Sequence, residues 1–166
     1  MWPNDWPATP RAIATSTEEA LAAARARSED AYRDAVADVE SEDAAQVGLV
    51  HAEIIRALLE ELHPDGLTGD DVQDVLARTV RSASEWFGDL DVDGFVEVLT
   101  GALGVADTEA VRPRPRAGHA LLIIAELSSP TRRAADGQGA HASTSSEVYI
   151  RRAIEEIARS QTIEMP

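Results

Sequence analysis

Apolar residues recur at three- and four-residue steps from Val47 to Leu103, interrupted only at His63-Pro64-Asp65-Gly66 and at the Asp-rich turn around Asp91. A face with that period is buried as a unit only on a helix, because side chains on a strand alternate every two residues. Val47, Val50, His51, Ile54, Leu58 and Leu62 define one helix, which Pro64 and Gly66 end. Val72, Val75, Leu76, Val80, Ala83, Trp86 and Phe87 define a second, opened by Thr68 and Asp71 at capping-box spacing. Phe95, Val98, Leu99, Ala102 and Leu103 define a third that stops near Gly104. No stretch alternates with period two, so an all-α chain is expected.

The flanking segments extend that plan. Ala117 to Leu127, AGHALLIIAEL, is apolar almost all the way round, as a central helix would be, although Leu121 to Ile124 alone would also suit a strand. From Glu147 to Ser160, Ile150, Ala153, Ile154 and Ile157 share one face, with Arg151–Glu155 and Arg152–Glu156 spaced i,i+4 outside it. Near the N-terminus, Ser16 and Glu19 have capping-box spacing, followed by a thin, Ala-rich stripe of Leu21, Ala24, Tyr32, Ala35, Val36 and Val39. Ser41-Glu42-Asp43 suits either a new cap or a continuing helix. The expected architecture is a single helical domain over residues 16–166, a bundle of five or six helices. Its best-defined core is 47–127 and its terminal helix 147–160. A flexible arm is expected over 1–15, where Trp2-Pro3, Trp6-Pro7 and Pro10 disfavour helix, and a mobile loop near 129–146, where large apolar residues almost vanish.

Composition narrows the function classes. Aromatics are 4% of the chain against 44% apolar residues, so Ala, Val, Leu and Ile must supply the core. There is no Cys, which removes disulfides and thiolate chemistry, and all 15 basic residues are Arg, which removes lysine Schiff-base and phosphate-loop chemistry. This composition suits a GC-rich bacterial genome. A net charge of −15 opposes a nucleic-acid partner, and no apolar run reaches the ~20 residues needed to span a bilayer, so a cytoplasmic protein is expected. The charge is uneven: residues 1–63 hold 13 acids against 5 arginines, 64–109 hold 11 against 2, and 110–166 hold 6 against 8.

The candidate chemistry centres on Asp89, Asp91, Asp93 and Gly94. With Val96 after them, they resemble the first half of an EF-hand calcium loop, which carries acids at positions 1, 3 and 5, Gly at 6 and an apolar residue at 8. The resemblance fails at position 12, where Thr100 stands in place of the bidentate Glu. Calcium on those aspartates is the only cofactor indicated. The competing reading is a helix N-terminus that gathers carboxylates to offset its dipole. Glu60 and His63 form a single Glu-x-x-His where a di-iron bundle would need two, and His63 suits the last turn of a helix. His51 and His119 fall among apolar residues as core histidines would. Neither a Gly-x-Ser-x-Gly elbow nor a Gly-rich phosphate loop is present.

Two segments suggest partners. Trp2 and Trp6 would serve an arm that docks on another protein, since tryptophan is a favoured interface anchor. Arg112, Arg114 and Arg116, separated by prolines, would lie against the acidic surface of 64–109 in this chain or a second copy. The expected function is a non-enzymatic interaction or regulatory protein that forms homodimers. The alternative is a metal- or small-ligand-binding helical protein, with or without catalysis, that uses the carboxylates near Asp89–Asp93.

Overall fold

In the computed structural model, residues 1–105, 117–130 and 145–163 are described, and they form an all-α structure of seven helices with no strand among them. These are α1 (Ala8–Arg25), α2 (Glu29–Glu40), α3 (Ala44–Leu62), α4 (Gly69–Ser84), α5 (Val92–Ala102), α6 (Ala117–Leu127) and α7 (Ser146–Ile163). The loop expected near 129–146 falls largely on residues 131–144, outside the described residues.

The core forms around α6. Ala117, Ala120, Leu121, Leu122, Ile123, Ile124 and Leu127 are all buried, and α6 packs against α1, α2, α3, α4 and α5. A helix this apolar needs neighbours around most of its surface, and the other amphipathic helices supply them. On α3, Val47, Val50, Ile54, Ile55, Leu58, Leu59 and Leu62 face this core, and α3 also carries α5 and α7. None of the described helices is long and apolar enough to cross a membrane.

Helix ends follow local chemistry. Asp43 caps α3 by accepting from the Gln46 N–H at 2.9 Å, so a new helix begins there. Thr68 and Asp71 form a complete capping box on α4. The long N-terminal stripe is divided: α1 closes at Ala26, and the Ser28 N–H reaches the Ala23 carbonyl while the Arg27 N–H reaches Ala24. That pair of bonds is the Schellman closure, which places Arg27 in the left-handed region at φ 53°.

The arm expected over residues 1–15 is corrected by the structure. α1 begins at Ala8, because Pro3 and Pro7 precede it and Pro10 lies in the first turn, where a missing N–H has no helical partner to lose. Ser16, expected as a cap, is buried in mid-helix and donates to the Ile13 carbonyl. Trp2 is only 9% exposed and stacks on Trp6 at 5.8 Å between ring centroids. The Arg151 guanidinium lies 6.0 Å from the centre of the Trp2 ring, and the Met1 ammonium lies 3.9 Å from Glu147, so this segment docks on α7.

Between α1 and α3 the core holds a polar pair: Thr17 Oγ1 and His51 Nε2 share a hydrogen bond of 3.0 Å, and His51 is 1% exposed with no partner for Nδ1. Burial lowers the His51 pKa from 6.5 to about 4. Between those values the unfolded chain binds a proton that the folded chain excludes. Stability is therefore full above pH 6.5 and is lost as pH falls toward 4, by about 3 kcal/mol in total. Denaturant unfolding from pH 7.5 to 4.5 should show this loss, and His51→Leu should remove its share of the slope. An unchanged slope in that variant would assign the acid sensitivity to the carboxylates instead.

Candidate functional site

The Asp-rich turn is shorter than a calcium loop requires. α5 starts at Val92, so Asp91 is its N-cap and Asp93 lies in its first turn, whereas the EF-hand loop needs the chain to wrap the ion through position 9 before the helix is established. Asp89 is 80% exposed at its side chain and approaches Arg33 at 3.6 Å. Among the described residues, no group of three or more His, Asp or Glu is placed to hold a metal. Glu61 accepts a hydrogen bond from the Tyr149 hydroxyl at 2.8 Å, and His63 Nδ1 lies 2.9 Å from the Leu59 carbonyl, so the Glu-x-x-His segment serves the end of α3 and its contact with α7. Arg112, Arg114 and Arg116 lie outside the described residues.

Asp89 does border a cleft between α2 and α6, about 330 Å3 in volume, with Tyr32, Arg33, Phe87 and His119 in its wall. Arg33 and Tyr32 in its wall are engaged internally. Arg33 holds Glu29 at 2.8 Å and lies 4.9 Å from the centre of the Phe87 ring. The Arg33 hydrogen bond, and then the Gly88 N–H, keep the Glu29 carboxyl below its usual pKa. The Tyr32 hydroxyl donates to the Gly118 carbonyl, and burial, then the Glu40 charge, raises its pKa. His119 stands edge-on to Phe95 at 4.8 Å.

A different groove combines unspent charge with an apolar floor. It lies where the C-terminal ends of α1 and α6 meet α4, with a volume of about 290 Å3. Ala24, Ala83, Trp86, Leu122 and Ala125 line it, with Arg25, Arg27, Ser82, Glu126 and Ser129 at its edge. An adjoining depression of about 400 Å3 shares Arg27, Ser82, Glu126 and Ser129 and adds Asp74, Arg78, Arg81 and Glu85. Four of the chain's fifteen arginines thus surround one continuous groove. Its chemistry and not its size sets it apart, since other surface grooves are larger, at about 380 and 580 Å3.

The four guanidinium groups differ in their commitments. Arg27 pairs with Glu85 at 2.5 Å, and Arg78 with Asp74 at 3.0 Å. Arg25 contacts only hydroxyls, Ser146 Oγ at 3.2 Å and Ser128 Oγ at 3.4 Å. Partial burial lowers its pKa, and the more distant Glu18 charge raises it. Arg81 is exposed and makes no ion pair among the described residues. Trp86 is half-buried and fixed by an edge contact with Tyr32 at 5.3 Å between centroids, which keeps its ring at the groove wall.

Sequence reasoning did not find this site. Its residues come from α1, α4 and α6, and only the tertiary fold brings them together. One trace was visible: Arg78 and Arg81 are the only basic residues between 64 and 109, one turn apart in an otherwise acidic segment. Set against protein-family models, curated proteins and solved structures, the chain finds no match in any of the three.

If the aspartates formed a calcium site, titration calorimetry would give saturable heat that Asp91→Ala abolishes. With α5 starting at Val92, calcium titration is expected to give dilution heat alone.

Proposed function

We propose that the chain is a non-enzymatic binding protein whose arginine-edged groove takes a small amphipathic anion, a carboxylate or similar acid attached to an apolar body. The carrying observation is Arg25, an arginine at the groove edge with hydroxyl partners only, beside an apolar floor in a chain where acids outnumber arginines two to one. A guanidinium held by neutral partners keeps its charge for an incoming anion, and a charge-assisted bond is stronger than the neutral ones it replaces. The apolar body of the ligand would cover Ala24, Ala83, Leu122 and Ala125, with Trp86 alongside. A small ligand suits the site better than an acidic protein: the net charge of −15 repels a large polyanion over its whole surface but costs a singly charged molecule little. A regulatory role follows naturally from binding without turnover.

Octanoate, compared with neutral octanamide, tests this reading. Octanoate is expected to perturb the tryptophan fluorescence saturably and to bind about tenfold or more tightly than the amide, with the difference shrinking as salt rises. Arg25→Gln should narrow that difference. Equal binding of both by the unmodified chain would remove the proposal.

Self-association is a second reading, favoured by one observation. Val92 and Val96 lie one turn apart on α5 and are 49% and 41% exposed, an apolar strip that a second copy would cover. Trp2 is unsuited to that role, being packed on its own chain. Light scattering at micromolar concentration should give a dimer that Val92→Asp with Val96→Asp disrupts. A strict monomer would end this reading.

A further inference from the structure

Arg27 occupies a backbone position that resists it. It is the only non-glycine residue with positive φ among the described residues, at 53°, and it stands where a Schellman closure most often carries glycine. A side chain in the left-handed region is strained relative to glycine, and such strain persists where the surroundings or the function require that side chain. Nothing in the core requires it. Arg27 is exposed, and its guanidinium reaches across the groove to Glu85 on the far wall, a pair separated by 58 residues in sequence and more than half exposed at both side chains. An exposed pair of this kind adds little to stability, so it does not account for arginine in place of glycine.

We infer that Arg27 is a second contact for the anion, beside Arg25, and that Glu85 is an internal stand-in for the ligand, a carboxylate that holds the guanidinium over the groove until a ligand's acid group replaces it. The inference rests on the binding reading of the same groove. The exchange keeps the charge balance of the arginine, because one carboxylate leaves as another arrives, and the displaced Glu85 turns to solvent at the rim. Preorganisation is the gain: the strained backbone and the Glu85 contact hold the guanidinium at the groove before the ligand enters. The exchange also sets a threshold, because a ligand must outcompete a tethered carboxylate. A singly charged acid with no apolar body would fail to do so, whereas an amphipathic one adds contact with the floor.

Three variants, with octanoate as probe and thermal unfolding as control, test this. Arg27→Gly is expected to leave the unfolding midpoint unchanged or raised, since glycine relieves the strain, while octanoate affinity falls by about tenfold or more. Arg27→Lys should recover part of that affinity through charge alone. Glu85→Gln is expected to tighten octanoate by about two- to fivefold by removing the internal competitor. If Arg27→Gly binds octanoate as the unmodified chain does, or if Glu85→Gln binds no tighter, the inference is overturned although the groove still binds. If the unmodified chain does not bind octanoate, the groove reading itself fails.

Discussion

The burial of most of α6 is the constraint from which the rest of the structure follows. Leu121, Leu122, Ile123, Ile124 and Leu127 together contribute roughly 10 kcal/mol of apolar transfer free energy, an upper figure because the unfolded chain is itself partly collapsed. Seven of its eleven residues are buried, and so apolar a helix cannot lie at a surface. Each of α1 to α5 therefore turns an apolar stripe toward α6, and their polar faces form the shell. The scarcity of aromatics is met in the same way. Ala14, Ala20 and Ala24 on α1 and Ala117 and Ala120 on α6 are buried, and small side chains let helix backbones approach closely.

The candidate groove is a by-product of that packing. α1 ends at Arg25 and α6 at Leu127, and both end beside α4 at the groove. Arg25 crosses the gap to Ser128 and to Ser146, the first residue of α7. One guanidinium thereby links the end of α6 to the start of α7 and also faces the groove. An acid group bound at Arg25, as proposed, would draw on the same guanidinium that contacts the start of α7.

Much of the fold could be read from residue spacing. α3, α4 and α6 carry strong apolar stripes or runs with clear stop signals, and the structure places each close to the expected bounds. The N-terminal third was harder for two reasons. Prolines before and within the first turn of α1 mimic an irregular segment although they suit a helix start, and the Schellman turn at Arg27 lacks the glycine that usually marks one. The alternating aspartates drew attention because their spacing is periodic. The groove arginines did not, since residues from α1 and α4 are about fifty positions apart and no local pattern links them.

The docking of the first residues on α7 has a practical consequence for spectroscopy. Trp2 and Trp6 stack at 5.8 Å between ring centroids, and the Arg151 guanidinium lies 6.0 Å from the centre of the Trp2 ring. Two of the three tryptophans in the sequence therefore sit on the seam between α1 and α7. Their emission would change when that seam opens, with no introduced label.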